Sequence, residues 1–535
     1  MASFASAASM ADTKTSDDGS ASDNTHLAND SVPQSLKVAT WNVASVNKNP
    51  FEYWIDDPEF SALMKTYEEL ITTPKENDVP IINLFRQEMF EELMEACRTR
   101  DDVTEANISF VRSRWTELQS KLIVSGFIKD KSIADRRLTS QPDLATNTID
   151  IGRASFCRPT VMNMYDRDLK TIPEWWSQWK TFMFDTDIGT GETPYKLLVP
   201  YKKSKYPAIS VEEEKHIIPL QCLYLAIYDA ITVQLMNIAS PEGKWTGIKQ
   251  KSIQYFMNKV GSQIQIILSR DCDVFCLQEV SSSLLAAMQA DDDLNIRFHI
   301  ASPVKFNTKT NQNSLILLNK KRYNDITEIT ASVVDQVSSV VDGDLMLVEV
   351  SNNGIKQLFG SFHGDSDGKS TPLVMKKIAE LFKGEGNVII GMDANTTKTG
   401  GKFPVSTFME QISGLGFSNW TTVPITTVVN PRTYAQPQAS KATLHLNLGK
   451  DNGEPKDHII YMGPFSVVDT EVINNTDGSY DDNRKMVTET WPSDHFMVVV
   501  DLGPLKGGGN RKSKRKRNRK TQRRRRKSNR KKNRR

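Results

Sequence analysis

The sequence feature that most constrains the fold is a series of short apolar, β-prone runs, most of them bounded by Gly, Asn or Asp. Such runs are typical of strands buried inside a layered fold, where both faces of a sheet are covered. We therefore predict strands over residues 36–43, 273–280, 314–319, 344–350, 357–363, 387–393, 458–462 and 496–502.

Between the first and second of these runs the apolar residues recur every three to four positions, which indicates amphipathic helices. Two stripes have this spacing: Ile82, Phe85, Met89, Leu93 and Cys97, and then Val111, Trp115, Leu118 and Leu122. Gly126 is expected to end the second helix. A third stripe, from Ile253 to Ile267, leads directly into the strand at 273–280, so from about residue 246 the pattern is alternating α and β.

Region 50–245 carries six of the nine tryptophans, including Trp175, Trp176 and Trp179. The simpler interpretation is a mainly helical unit with its own small core. The alternative is an aromatic cluster that binds a ligand.

The charge of the chain is divided between an acidic body and a basic tail. Residues 506–535 contain 19 Lys or Arg and no acid, which leaves 49 basic against 65 acidic residues elsewhere, a net charge of −16. We expect this tail and the Ser/Ala-rich leader, residues 1–34, to be disordered, because both have too few apolar residues to fold.

The tail has two overlapping interpretations, a nuclear-targeting or solubilising segment and an arm that binds nucleic acid. An arm of this kind contacts phosphates without reading bases. The candidate contacts are the cations of its two densest clusters: Arg515, Lys516, Arg517, Arg523, Arg524, Arg525 and Arg526.

The composition also bears on the cellular compartment. The sequence contains no run of eighteen or more apolar residues, so we expect no membrane span, and its N-terminus lacks the features of a secretory signal. The five cysteines lack zinc-site spacing, and a reducing compartment fits them best. We expect an intracellular protein; the tail favours a nuclear address, and cytoplasmic residence stays open.

Polar or ionisable residues stand at the ends of the predicted strands, where loops converge into a site in layered α/β folds. Taken singly, each has an ordinary explanation, such as a solvated edge residue, a structural histidine or a turn cap. Together they supply carboxylates and amides that suit Mg²⁺ or Mn²⁺, and imidazoles that suit proton transfer. The set is Asn42, Glu279, His363, Asp393, Asn395, Asp457, Asp494 and His495.

Six segments that contain these residues resemble the endonuclease/exonuclease/phosphatase superfamily, in the order that the family has them. They are ATWNV (39–43), DVFCLQEV (273–280), GSFHGD (360–365), NVIIGMDANT (387–396), KDHIIYM (456–462) and WPSDHFMVVVDL (491–502). The resemblance covers about half of the chain. It implies an α/β fold of the DNase I type, a four-layer α/β sandwich in which two packed β-sheets are flanked by helices.

The resemblance also implies a divalent cofactor, Mg²⁺ or Mn²⁺. Glu279 is its principal ligand by this likeness, and Asn42 and Asp494 assist directly or through water.

The same likeness assigns the chemistry. Asp393 orients and deprotonates the attacking water, and Asn395 holds that water or the phosphate. His495, polarised by Asp457, contacts the scissile phosphate. His363 is the second phosphate-facing histidine and stabilises or protonates the leaving oxygen.

The large departure from the family is the 236 residues between Asn42 and Glu279. We assign residues 50–245 to a mainly helical insertion, residues 35–49 plus 246–504 to the catalytic domain, and 505–535 to the tail. The insertion either covers the site, selects substrates or binds a protein partner, or it is a surface elaboration without catalytic effect. The sequence indicates no oligomeric state.

Three functions follow from this reading. The first is a metal-dependent nuclease on DNA or RNA, favoured by the tail and His363. The second is a phosphatase or phosphodiesterase on a phosphoinositide or another small phosphorylated substrate, favoured by the acidic body. The segment GMDANTTK (391–398) lacks the Arg that often follows this motif in inositol phosphatases, which weighs against that branch. The third is a non-catalytic protein that binds nucleic acid.

Overall fold

The apolar runs of the sequence form two six-stranded sheets in a computed structural model of the chain. The structure describes residues 35–45, 48–55, 57–151, 154–189, 191–308, 310–352, 355–382, 386–429, 432–437, 453–473 and 491–505. The predicted leader, residues 1–34, and the basic tail from residue 506 lie outside these ranges.

The strands within the described ranges begin and end as follows: β1 (Leu36–Asn42), β2 (Thr148–Ile151), β3 (Ala154–Cys157), β4 (Val274–Val280), β5 (Phe298–Ala301), β6 (Asn313–Asn319), β7 (Ile326–Glu328), β8 (Leu345–Asn352), β9 (Ile355–His363), β10 (Asn387–Asp393), β11 (Ser418–Asn419), β12 (Val428–Val429), β13 (Gly453–Glu454), β14 (Asp457–Met462), β15 (Phe465–Ile473) and β16 (Met497–Pro504).

The helices of the same ranges are α1 (Pro58–Thr72), α2 (Gln87–Arg98), α3 (Glu105–Leu118), α4 (Lys131–Asp135), α5 (Ser140–Thr146), α6 (Ile172–Asp185), α7 (Val211–Lys215), α8 (Ile217–Ala239), α9 (Trp245–Leu268), α10 (Ser282–Ala290), α11 (Asp292–Arg297), α12 (Ala331–Val334), α13 (Ser370–Phe382) and α14 (Val405–Gly414).

The first sheet has the order β15-β16-β1-β4-β6-β5, and the second has the order β11-β14-β10-β9-β8-β7. Each sheet contains one parallel pair near its centre, β1 with β4 and β9 with β10, and the other pairs are antiparallel. Both sheets are therefore mixed.

Side chains alternate between the two faces of each strand, so each sheet packs against the other sheet on one face and against helices on the other face. Val38 of β1 lies in the core between the sheets, whereas its neighbours Ala39 and Trp41 face α9, α10 and α11. On the second sheet, Ile389 faces the first sheet, while Ile390 packs against the layer of α12, α13 and α14. Helices, sheet, sheet and helices thus form four layers, and the predicted α/β sandwich is confirmed.

Gly391 in β10 lies where the two sheets approach each other closely beside the site. A Cβ atom at this position would lie 2.5 Å from the Cβ of Cys276 and 2.8 Å from the Cβ of Thr40. These neighbours belong to β4 and β1, whose backbones are fixed by pairing on both sides, so only glycine fits here.

The residues between β1 and α9 form a second core, which is mainly helical and contains one short hairpin, β2 with β3. Trp175, Trp176 and Trp179 are buried in it, which confirms the simpler interpretation of the tryptophans. At its centre lies α8, a helix long and apolar enough to cross a membrane by length and composition alone, but 78% of its most apolar window is buried inside the protein.

The expected role of Gly126 as a helix stop is wrong. The helix α3 ends at Leu118, and Gly126 lies within a separate π-helical turn, Ile123–Ile128. Asp78 accepts the backbone N–H groups of Val124 and Ser125 at the start of this turn. Leu122 pairs with Pro80 and is 38% exposed, so it does not continue the buried stripe.

The helix α9 contacts both the helical core and the sandwich, and the segment 432–437 contacts the helical core. The helix α9 begins in the helical core with Trp245 and ends under the first sheet with Ile264 and Ile267. Residues 432–437, which follow β12, pair with the start of the insertion. The division into domains near residue 245 stays a prediction.

Candidate active site

The two sheets bring the ends of their central strands to one edge of the sandwich. In the second sheet Asp393 lies directly opposite His363 on β9 and opposite Asp457 on β14. In the first sheet Asn42 ends β1 beside the end of β4. The parallel pairs place the carboxyl ends of their strands together, as the sequence predicts.

A change of register turns Glu279 into this edge. The pairing of β4 with β6 shifts between Leu277 and Val280, and Glu279 has a positive φ of 55°. A bulge of this type re-aims a side chain. As a result Gln278 donates from Nε2 to Ser361 Oγ of the other sheet at 3.0 Å, while the carboxylate of Glu279 points into the site.

Asn42 links the acidic residues of both sheets. Its Nδ2 donates to Glu279 Oε1 at 3.1 Å and to Asp393 Oδ2 at 3.0 Å. His363 Nε2 lies 3.6 Å from the same Glu279 oxygen and 3.8 Å from the same Asp393 oxygen. Gln312 Nε2 donates to the other oxygen of Glu279 at 3.0 Å. These contacts define one cluster rather than separate surface groups.

His495 is fixed between two buried carboxylates. Its Nδ1 lies 2.9 Å from Asp457 Oδ2, and its Nε2 lies 3.7 Å from Asp393 Oδ2. Burial lowers the pKa of His495, but the carboxylates of Asp457, Asp393 and Asp494 outweigh it and raise the pKa to about 10. The imidazole is therefore charged at neutral pH.

Asp393 remains ionised although it is buried. Burial raises its pKa, but the charges of His495, His363 and Lys456 outweigh this and hold the pKa below its ordinary value. Its Oδ1 accepts the backbone N–H of Asn395 at 2.8 Å, which leaves Oδ2 to face the two imidazoles.

Asn395 is held at the same edge in a left-handed conformation, with a φ of 52°. Its Nδ2 donates to the carbonyl of Gly364 at 2.7 Å, and Lys456 Nζ donates to its Oδ1 at 3.0 Å. Asparagine tolerates this region of backbone space better than most residues.

Asp494 lies beside His495 and is 4% exposed. Its carbonyl accepts the backbone N–H of Val429 at 3.2 Å. Ser493 Oγ donates to the carbonyl of Asn42 at 2.7 Å and accepts from His495 N at 3.0 Å. The loop before β16 is thereby attached to the end of β1.

The structure therefore brings all eight predicted residues of the body to one edge. The predicted contacts of the tail lie outside the described residues: Arg515, Lys516, Arg517, Arg523, Arg524, Arg525 and Arg526.

Lys259 of α9 is a site residue that the sequence pattern did not single out. It is buried, and its Nζ donates to the carbonyl of Ala44, just beyond β1. Burial lowers the pKa of Lys259 to about 8, against the charges of Asp494, Glu279 and Glu52. A signal was present, because Lys259 and Gln263 occupy positions three and seven after Phe256, on the apolar face of the helix.

The donor set fits a hard divalent cation. One donor atom from each of Asp393, Asp457 and His495 lies within 4.8 Å of the others. This group differs from the predicted metal ligands Glu279, Asn42 and Asp494, although the Glu279 carboxylate lies 3.6 Å from His363 at the same edge. Carboxylate oxygens are the ligands that Mg²⁺ and Mn²⁺ prefer. The Oδ1 of Asn42 accepts the backbone N–H of Ala44 at 2.9 Å, so its amide nitrogen faces the carboxylates. Direct ligation by Asn42 stays a prediction.

Comparison with known proteins gives matches to both parts of the chain. A family model described as a domain of unknown function (DUF8234) matches residues 78–250. No curated protein matches the sequence.

Solved structures similar to the chain include TDP2 from D. rerio in complex with a single-strand DNA product, at 13% identity over 46% of this chain and 92% of that chain, with a TM-score of 0.33. An endonuclease/exonuclease/phosphatase family protein from Leptotrichia buccalis is 17% identical over 46% of this chain and 93% of that chain, with a TM-score of 0.33. An endonuclease/exonuclease/phosphatase family protein from Bacteroides thetaiotaomicron is 17% identical over 45% of this chain and 88% of that chain, with a TM-score of 0.31. These three structures are thus TDP2 and two endonuclease/exonuclease/phosphatase family proteins, each similar to less than half of this chain.

Proposed function

We propose that the chain is a divalent-metal-dependent phosphodiester hydrolase and that its substrate is a nucleic acid, DNA or RNA. The observation that carries this proposal is the environment of Asp393. One of its oxygens accepts from a backbone N–H, and the other faces two imidazoles and the amide of Asn42. This arrangement supports hydrolysis by an activated water.

Asp393 is the general base of the proposed reaction. Its lowered pKa keeps the carboxylate ionised at neutral pH, so Oδ2 can orient a water and accept its proton. The water oxygen forms a bond to phosphorus as the bond to the leaving oxygen breaks. His363, whose Nε2 lies 3.8 Å from Asp393 Oδ2, supplies the proton that the leaving oxygen takes up.

His495 and Lys456 carry the positive charge that the phosphate meets. The Asp457 carboxylate at Nδ1 fixes the ring of His495, so that Nε2–H is the group offered to a phosphoryl oxygen. Lys456 is held beside Asn395 and adds a second cation. A divalent cation held by Glu279 and Asp494, with Asn42, supplies further neutralisation of the phosphoryl oxygens when it is bound.

A second candidate is hydrolysis of a phosphoinositide or another small phosphorylated compound. The net charge of −16 outside the basic tail favours it, because a long polyanion meets repulsion from the body outside the site.

The test is an activity assay of the purified full chain with Mg²⁺ or Mn²⁺ on plasmid DNA, abasic duplex DNA, poly(A) RNA and phosphoinositides. We expect hydrolysis of nucleic acid that EDTA abolishes. Asp393→Ala and His495→Ala are each expected to lower kcat by about 10²–10⁴. Arg86→Gln, an exposed position in the insertion, is the control that keeps full activity.

Circular dichroism and thermal unfolding show whether each variant is folded. Full activity in a folded Asp393→Ala protein contradicts the proposed site. Hydrolysis of phosphoinositides alone contradicts the choice of nucleic acid.

A further inference from the structure

The start of the insertion contacts Arg432. Residues 432–437 lie on the start of the insertion: Arg432 forms a β-bridge with Tyr53, and Thr433 N donates to the carbonyl of Glu52 at 2.9 Å. Ala435 is buried in the helical core. This segment of the catalytic half is therefore positioned by the insertion.

Arg432 is also close to Asp494. Val429 N donates to the carbonyl of Asp494 at 3.2 Å, and Arg432 follows Val429 by three residues. Three residues span at most about 11 Å of chain. Tyr53 raises the pKa of Arg432, and the charges of Glu52 and Asp494 raise it further against the effect of burial, so Arg432 interacts with Asp494 electrostatically.

The guanidinium of Arg432 has long contacts. It lies 5.5 Å above the centre of the Tyr53 ring, with one nitrogen 3.5 Å from the Tyr53 hydroxyl and another 3.6 Å from Glu52 Oε1. Its Nε is buried and has no hydrogen-bond partner within the described residues, whereas 39% of the side chain is exposed.

Arg158, a structural arginine of the same chain, has short hydrogen bonds instead of long contacts. Arg158 is fully buried, and its Nε lies 2.7 Å from Asp229 Oδ2, with its other nitrogens donating to Thr146 and Asp143 at 2.7 and 2.5 Å. Every nitrogen of Arg158 is thus used at short distance. The two terminal nitrogens of Arg432 instead have only contacts of 3.5 and 3.6 Å, on a planar group that suits phosphate.

We propose that Arg432, held on Tyr53 and beside Glu52, binds a phosphate of the substrate next to the scissile one, and that the insertion thereby selects substrates with more than one phosphate. This inference rests on the proposed hydrolase function. It gives the insertion a role in substrate selection through Tyr53 and Glu52, which contact the arginine.

The first test compares two substrates that differ in flanking phosphates. A short oligonucleotide carries them, whereas bis(4-nitrophenyl) phosphate has a single phosphodiester and none. Arg432→Gln is expected to raise KM for the oligonucleotide about tenfold, with kcat within about twofold of wild type and KM for the small ester unchanged. Arg432→Lys is expected to keep part of the effect, and Arg86→Gln is the matched control.

The second test measures binding without turnover. Fluorescence anisotropy measures the affinity for a labelled oligonucleotide in the Asp393→Ala background at several salt concentrations. The salt slope is the change in the logarithm of this affinity with the logarithm of the salt concentration. Loss of one phosphate contact by Arg432→Gln is expected to reduce this slope by about 0.7–0.9.

The outcomes separate this inference from the proposed function. An unchanged oligonucleotide KM and salt slope in Arg432→Gln overturns the inference, and so does an equal loss of kcat on both substrates, which would place the residue in the chemistry or the fold. Absence of hydrolysis by the wild type, with a reduced slope in the variant, overturns the proposed function and leaves the phosphate contact in place.

Discussion

At the scale of single residues, Lys249 shows how burial of a charge affects stability. It lies in α9 and is 2% exposed, and its Nζ donates to the carbonyl of Thr160 at 2.8 Å. Burial lowers the pKa of Lys249 from 10.5 to about 7, because an ammonium group inside the protein loses its hydration. Between these two pH values the unfolded chain keeps a proton that the folded chain has released.

We therefore expect the contribution of Lys249 to stability to rise with pH from about 7 to 10.5, with a slope that approaches about 1.4 kcal/mol per pH unit. The measurement is the free energy of unfolding in urea for wild type and Lys249→Met across this range. The free energy of unfolding of the wild type minus that of the variant is expected to increase with pH.

The quantity to follow is the difference in the free energy of unfolding between wild type and Lys249→Met, because the titration of His495 changes stability with pH in the opposite direction. The raised pKa of His495 stabilises the folded state below its ordinary value of 6.5, and that stability is lost as pH rises through about 10. Lys65→Met, an exposed change in α1, is the control. A difference between wild type and Lys249→Met that does not vary with pH contradicts the buried, neutral lysine.

Individual site residues were predictable where the sequence pattern itself marks a strand end. Asp393 and His363 follow apolar runs directly, and register then places them opposite each other. Arg432 was not predictable, because its position depends on pairing with Tyr53, 379 residues away in sequence. Lys259 was not predictable either, because its contact with the carbonyl of Ala44 depends on how α9 packs under β1.

At the scale of secondary-structure elements, β10 lies at the centre of the second sheet, between β9 and β14, and carries Asp393 at its end. Gly391→Ala is expected to destabilise the protein by about 1–3 kcal/mol, because the added methyl group overlaps the Cβ atoms of Cys276 and Thr40. We also expect kcat to fall, since any shift of β10 moves Asp393. Thermal unfolding and the nuclease assay measure the two effects.

A matched glycine is available in α9. A methyl group added at Gly261 would meet open space, with no neighbouring atom within 4 Å, and the residue lies in the helix interior. Gly261→Ala is therefore expected to raise stability by about 0.5–1 kcal/mol. If the two alanine variants have the same stability, the close approach of the sheets at β10 is not what requires glycine.

Elements were predictable in proportion to their burial. The predicted strand at 387–393 coincides with β10, which is apolar and buried along nearly its whole length. The strand β15 was missed, because it lies at the edge of the first sheet and exposes Asp469, Thr470 and Glu471. Edge strands need no apolar run, since one side faces solvent.

At the scale of the whole molecule, the charges of the body and the tail oppose each other. The body carries a net charge of −16, and residues 506–535 carry 19 cations. At the site the cations His495, Lys456 and Arg432 lie among the carboxylates of Glu279, Asp393, Asp457 and Asp494, so they offset its acidic charge without reversing it. The sequence predicted this division of charge, but not the arginine that the insertion positions.

Removal of residues 506–535 tests whether the tail supplies the attraction that the body lacks. If six to ten of its cations contact phosphates, the affinity of the full chain for a long DNA falls by roughly 10³–10⁵ between 50 and 200 mM salt, and the shortened chain loses most of this dependence. Turnover of a short oligonucleotide at saturating concentration is expected to stay within about twofold, because the arm carries no part of the chemistry. A tail of equal length with Ser in place of each Lys and Arg controls for chain length. Equal salt slopes for the full and shortened chains contradict the proposed arm. If removal of the tail lowers the slope by several units, and Arg432→Gln lowers it by about one further unit, the tail and Arg432 contact separate phosphates.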